Sequence, residues 1–227
     1  MSEEMNNRRS ILAGTLVLLR RTMFGQKNNP STATGPVPFG YKMGWIALKH
    51  TKSADVASFL KIKNLRSASW VEGIEAAYNS GDDVVFVTPP IKGWVLVVSK
   101  WAMGAGDRRS ADAIGQLLGQ LSTKFDEAQG FATHRIIEYH HWMLAINGHL
   151  QRSFAYIGES GEVLLNSGSL TDSEQKLKFF SKPPEEWNPT EEDVMTVASG
   201  WSIAPTSLTT NMGDSDWGLI GTIGKLL

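Results

Sequence analysis

The chain has 227 residues, no cysteine, and a formal net charge of −1 from 22 basic and 23 acidic residues. The lack of cysteine excludes disulfides, thiolate zinc sites, iron–sulfur clusters and cysteine nucleophiles within this chain. The near-neutral charge argues against binding of nucleic acid, which needs a basic surface. A hydrophobic share of 41% is typical of one globular domain with tails, and eight tryptophans make the chain tryptophan-rich.

The first 38 residues are predicted to form an amphipathic segment followed by a linker. The apolar run from Ile11 to Leu19 lies between two pairs of arginines. It is too short for a membrane-spanning helix, which needs about 20 apolar residues, so no transmembrane span is expected. Residues 8–24 are instead predicted to form a helix that contacts the domain or a membrane surface. We expect a cytoplasmic protein; the alternative is export or membrane association, because the start resembles a twin-arginine signal.

The next part of the chain alternates between helix and strand patterns. Ser69 and Glu72 have the spacing of a capping box, in which the two side chains satisfy the first free N–H groups of a helix. Pro89 and Pro90 mark a connection between two strands, because proline cannot donate a hydrogen bond to a sheet. The predicted strands are residues 44–48, 83–88 and 93–99, and the predicted helices are residues 53–60, 69–79 and 110–123.

The segment from His134 to Ile157 decides the predicted fold. Asn147 and Gly148 both tolerate a positive φ, as a type I′ turn requires, so a β-hairpin is favoured over a helix. A second turn and another strand follow, which predicts a three-stranded meander over residues 134–166. The two-residue turn predicts this register: Ile146 with His149, Leu144 with Gln151, and Trp142 with Ser153. The more apolar face, predicted to point inward, carries Tyr139, His141, Met143 and Ala145 from the first strand.

Two further helices are expected near the end of the chain. Residues 171–174 and 190–193 each have a capping sequence with acidic residues, which suit the positive end of a helix. The whole pattern predicts an α+β fold, with a single domain over residues 39–205. This domain is expected to have a mainly antiparallel sheet with flanking helices on one side. Residues 206–227 are predicted to form a C-terminal tail.

A group of histidines in the predicted meander is the candidate for chemistry. His134, Glu138 and either His140 or His141 are the residue types of two-histidine, one-carboxylate metal sites. Their spacing matches no established metalloenzyme motif, and on one strand His134 and Glu138 would be about 13 Å apart. The alternative hypothesis is a metal-dependent or histidine-dependent hydrolase that uses these four residues. The favoured interpretation is that they are half-buried strand residues, and no cofactor is expected.

Two kinds of surface residue are candidates for binding a partner. Acidic side chains in turns would complement a basic protein surface. One or two exposed indoles would act as anchors, although most tryptophans are expected in the core. The candidate partner-binding residues are Asp82, Asp83, Glu159, Glu162, Trp187 and Trp217.

Three stretches of the chain carry a resemblance to a known group of proteins. They are residues 44–50 (Gly-Trp-Ile-Ala-Leu-Lys-His), residues 131–135 with the following Tyr139-His140, and residues 154–160 (Phe-Ala-Tyr-Ile-Gly-Glu-Ser). Over residues 41–205 the chain resembles uncharacterised bacterial proteins, some of the toxin-immunity type. The resemblance implies a non-catalytic module that neutralises a cognate toxin by direct binding. A second alternative, beside the hydrolase, is an envelope-associated structural protein.

Overall fold

Nine antiparallel strands form one sheet in the part of the chain that the computed structural model describes, residues 35–212 and 217–224. These residues all belong to one compact unit, Ser31–Leu227. The strands are β1 Gly44–Lys49, β2 Lys63–Ser69, β3 Val84–Val87, β4 Trp94–Ser99, β5 Glu127–His134, β6 Tyr139–Ile146, β7 His149–Ile157, β8 Glu162–Ser167 and β9 Trp217–Thr222. Their order in the sheet is β2-β9-β3-β4-β1-β5-β6-β7-β8. The predicted α+β fold with a mainly antiparallel sheet is confirmed.

The four α-helices cover both faces of the sheet, whereas one covered face was expected. The reason lies in strands such as β4, where every residue is apolar up to Ser99. Trp94, Leu96 and Val98 join the core on one face, and Val95 and Val97 join the core on the other. One face packs against α2 (Trp70–Asn79) and α4 (Glu191–Trp201), and the other against α1 (Ser53–Phe59) and α3 (Arg108–Phe125).

The predicted hairpin is present, but its register is only partly as expected. Asn147 and Gly148 form the turn with φ of 50° and 84°. Ile146 pairs with His149 as predicted, but a bulge at Gln151 then shifts the register by one residue. Trp142 therefore pairs with Phe154 and not with Ser153, and the two rings stack 4.4 Å apart. Both faces of β6 are buried, so the prediction of a single inward face was wrong.

Two predictions for the last third of the chain need correction. Residues 171–174 were expected to open a helix, but only a short 3₁₀ turn, Glu174–Lys176, forms there. The carboxylate of Glu174 is instead buried and accepts hydrogen bonds from Trp142 and Arg152. In the segment predicted as a tail, residues 217–222 form β9 between β2 and β3, so they belong to the sheet.

The amino-terminal predictions fall mostly outside the described residues. Residues 8–24, predicted as an amphipathic helix, lie entirely outside them, so membrane contact and export stay predictions. In the described ranges, no helix combines the length and the apolar character that crossing a bilayer requires.

Candidate functional site

One end of the sheet gathers most of the residues singled out in the sequence. We call it the loop end: the end where β1, β3, β6 and β8 begin and β4, β5 and β7 finish. Helices α3 and α4 both start there, since α3 follows β4 and Glu191 of α4 contacts Arg135, just after β5. Loops held at one end of a rigid sheet are a common place for binding residues.

The two adjacent histidines of β6 point to opposite faces of the sheet. His141 is fully buried, and its Nδ1 lies 3.0 Å from the hydroxyl of Tyr139, with which it shares a hydrogen bond. His140 is 4% exposed on the other face, beside Thr133 of β5. Burial lowers the pKa of His141 to about 3, helped by His140. Burial lowers the pKa of His140 to about 4, against the opposing effect of Glu191 and Glu192. Both rings are therefore neutral at pH 7.

His134 and Glu138 stand at the two ends of the turn between β5 and β6. His134 pairs with Tyr139 and lines a cavity of about 270 Å³ together with Asp82 and Lys100. Glu138 has a φ of 49°, and its carboxylate lies over Gly158, where a Cβ atom would come within 2.4 Å of Oε2. The Glu138 carboxylate therefore lies towards β7, and His134 lies beside the loop that precedes α3.

The candidate catalytic residues therefore do not form one site. His140 is separated from His134 and His141 by the sheet itself, and Tyr139 stands between the other two rings. Among the described residues, no group of three or more histidine, aspartate or glutamate side chains is arranged to hold a metal ion. The geometry gives the hydrolase hypothesis no shared reaction centre.

The candidate acidic residues separate into two groups at the loop end. Asp82 and Asp83 precede β3, and Asp82 lies 3.9 Å from Lys100. Glu159 and Glu162 flank the turn between β7 and β8. Five strand spacings separate β3 from β7, or about 24 Å, so these four residues cannot form a single patch.

Glu159 and Glu162 do have an acidic neighbour that the sequence assigned to another role. Glu138, at the start of β6, accepts a backbone hydrogen bond from Gly158 at 3.0 Å. The ends of β6, β7 and β8 are adjacent, and all three glutamates are exposed. They form one group of carboxylates, which we call the acidic cluster.

The two candidate tryptophans contribute no charge to this cluster. Trp187 is partly buried in an aromatic group, and its Nε1 donates to the carbonyl of Lys182 at 2.9 Å. Trp217 is 61% exposed, but it begins β9 and therefore lies at the opposite end of the sheet. The aromatic group around Trp187 consists of Trp142, Phe154, Phe179 and Phe180.

The most exposed large apolar side chain among the described residues was missed by the sequence reasoning. Ile136, in the turn of residues 135–138 that we call the β5–β6 turn, is 79% exposed. Its neighbour Ile137 points inward instead and contacts the position of Gly106. The pair Ile136-Ile137 between charged residues was the available signal, but it was assigned to strand.

Contacts on both sides hold the β5–β6 turn in place. Arg135 donates from Nε to Glu191 of α4 at 2.8 Å, and its guanidinium lies 5.4 Å from the ring centroid of Tyr41. On the other side, the backbone of Glu138 bonds to Gly158. The result is an exposed isoleucine on a braced turn, with an arginine and a tyrosine on one side and the acidic cluster on the other.

Comparison with family models, with curated proteins and with solved structures finds no match to this chain.

Proposed function

We propose that this protein is a non-catalytic protein-binding module that contacts its partner through the loop end. The observation that carries the proposal is the position of Ile136, 79% exposed at the tip of a braced turn. Leaving an isoleucine in water forgoes about 1.5–3 kcal/mol of burial free energy, which a partner's apolar pocket would recover.

The residues around Ile136 are those of a recognition surface. Arginine and tyrosine are enriched in interface centres, and here Arg135 and Tyr41 contact each other beside the isoleucine. Because Arg135 is held by Glu191, little side-chain freedom remains to be lost on binding.

The acidic cluster suggests the charge of the partner. Glu138, Glu159 and Glu162 are exposed on adjacent strand ends, and no salt bridge among the described residues engages them. Such carboxylates favour association with a basic protein surface and raise the association rate. The sequence resemblance implies a toxin neutralised by direct binding, and the acidic cluster favours a basic one; such inhibition requires surface complementarity alone.

The proposal is tested by identifying the partner through crosslinking and then measuring its affinity for this protein with both proteins purified. A photoreactive amino acid at position 136 of the tagged full-length chain is used to identify the partner in cells of the source organism. The partner is then produced separately and titrated by calorimetry against the wild type and Ile136→Asp. We expect Ile136→Asp to weaken binding at least about 10-fold, because it loses apolar burial and places a carboxylate in the contact.

Ile146→Asp is the matched control, since Ile146 is a partly exposed isoleucine at the opposite end of β6. It should bind like the wild type. Equal affinity of the wild type and Ile136→Asp, or an equal loss in both variants, would contradict the proposal.

A further inference from the structure

One carboxylate connects the interior of the sheet to the β5–β6 turn. Glu191, the first residue of α4, is 12% exposed in its side chain. Its Oε2 accepts from Nε of Arg135 at 2.8 Å, and its Oε1 lies 3.2 Å from the hydroxyl of Thr133. The position of Arg135, and with it the brace of the turn, depends on this carboxylate.

A buried titratable ring lies next to the same carboxylate. His140 is the cross-strand partner of Thr133, on the face of the sheet that α4 covers. Its Nδ1 is buried and has no hydrogen-bond partner among the described residues. The titratable groups around it are Glu191 and Glu192 from α4, Tyr156 from β7 and His141 on its own strand.

We propose that His140 is an acid-sensitive trigger that releases Arg135 from Glu191. A buried imidazolium needs a counter-ion, and Glu191 is the carboxylate with the largest effect on this ring. Once protonated, His140 competes with Arg135 for Glu191. Tyr156 cannot serve as the counter-ion, because its hydroxyl donates to the carbonyl of Trp187 and its pKa is raised by burial.

Release of Arg135 would loosen the surface that presents Ile136. The guanidinium would lose its fixed position over Tyr41, and the β5–β6 turn would keep its contacts to Gly158, Glu159 and Gly106. Burial holds the pKa of His140 at about 4, so the trigger acts in acid and leaves the surface intact at pH 7. The effect on a partner rests on the proposed function; the release of Arg135 does not.

The release is therefore tested on the full chain alone. Nuclear magnetic resonance follows the Nε–H signal of Arg135 and the ring signals of His140 from pH 7 to pH 3. In the wild type, the chemical shift of the Arg135 Nε–H should change with the same pH midpoint as the ring signals of His140. His140→Gln should remove this step, whereas His149→Gln, at the exposed hairpin turn, should keep it. Glu191→Gln, which keeps the shape of the side chain, should show the released Arg135 signal already at pH 7.

Three results would overturn the trigger: an unchanged Arg135 signal while His140 titrates, the same step in His140→Gln, or loss of all native signals together. Once the partner is identified, its affinity is compared at pH 7 and pH 4 for the wild type and His140→Gln. We expect a loss on acidification in the wild type that is smaller in His140→Gln. Failure of Ile136→Asp to weaken binding would count against the proposed function alone, because the Arg135 signal is read without partner.

Discussion

Two arginine–glutamate pairs in this protein have the same chemistry and opposite surroundings. Arg152 and Glu174 are 1% and 0% exposed in their side chains and lie 2.7 Å apart in the core. Arg135 and Glu191 are 56% and 12% exposed and lie 2.8 Å apart at the loop end. The lengths of the two contacts are nearly equal, so distance does not distinguish their roles.

The difference lies in the other partners of each carboxylate. Glu174 also accepts from the indole of Trp142 and from the backbone and hydroxyl of Thr171, all within 2.9 Å. Among the described residues, Glu191 accepts in addition only from the Thr133 hydroxyl, and the titratable ring of His140 lies nearby. A fully satisfied buried carboxylate fixes a structure, whereas a carboxylate with a solvent-exposed arginine partner and a titratable neighbour can exchange partners.

The largest expected effect is the loss of the buried pair. Glu174→Gln leaves the charge of Arg152 uncompensated in the core, which should cost about 3–5 kcal/mol in the free energy of unfolding. Urea denaturation of the full chain measures it. Replacing Arg152 as well, with methionine, should recover part of the loss, because the uncompensated charge is then removed. If Glu174→Gln lowered the free energy of unfolding by less than about 1 kcal/mol, the buried pair would stabilise the fold no more than the pair at the loop end does.

An intermediate effect is expected from the buried histidines on acidification. The folded-state pKa values of His140 and His141, about 4 and about 3, lie below the ordinary value of 6.5. As the pH falls below about 6.5, the unfolded chain binds these protons first, so stability falls. The loss of stability that each histidine causes stops growing once the pH is below its folded-state pKa. For each histidine, the free energy of unfolding falls by at most about 1.4 kcal/mol per pH unit.

This pH dependence is checked by urea denaturation between pH 7 and pH 5. In His141→Asn, the slope should be shallower than in the wild type by up to about 1.4 kcal/mol per pH unit. His149→Gln, with its side chain at the exposed hairpin turn, should keep the wild-type slope. An identical slope in all three proteins would show that His141 does not contribute to the acid sensitivity.

The smallest effect is expected from the pair at the loop end. Glu191→Gln should shift the urea midpoint by no more than about a fifth of the shift in Glu174→Gln, because solvent screens an exposed pair. The same variant should nevertheless change the Arg135 Nε–H signal strongly. A large loss of stability would show that Glu191, like Glu174, is part of the core and not a responsive contact.

The hairpin shows how far local sequence could predict the fold. Asn147-Gly148 identified the turn, because its positive φ angles are a local requirement that few residue pairs meet. The bulge at Gln151 could not be predicted from local sequence, because it depends on how β7 fits between β6 and β8. Helix α3 was placed at residues 110–123 and begins earlier, at Arg108; its cap, Asp107, is a local signal that the prediction missed.

The candidate site was predicted less well than the fold. Glu159 and Glu162 lie in the acidic cluster, but Asp82, Asp83 and Trp217 lie elsewhere, and Trp187 is partly buried. Residue type predicted which side chains can bind a partner, but proximity is set by strand order, which links β3 and β7 only through four other strands. The exposure of Ile136 was not visible either, because adjacent isoleucines are equally typical of a buried strand.

The amino-acid sequence by itself determined the α+β class, the hairpin turn, the capped helix α4 and the lack of thiol chemistry, because these depend on composition or on residues close in the chain. Only the tertiary structure decided that β9 completes the sheet, that helices cover both faces, and that Glu174 is a core residue. The same holds for the neighbours of Glu191, which come from β5 and β6. Such contacts join residues distant in the chain, and their strength depends on burial, which no local pattern specifies.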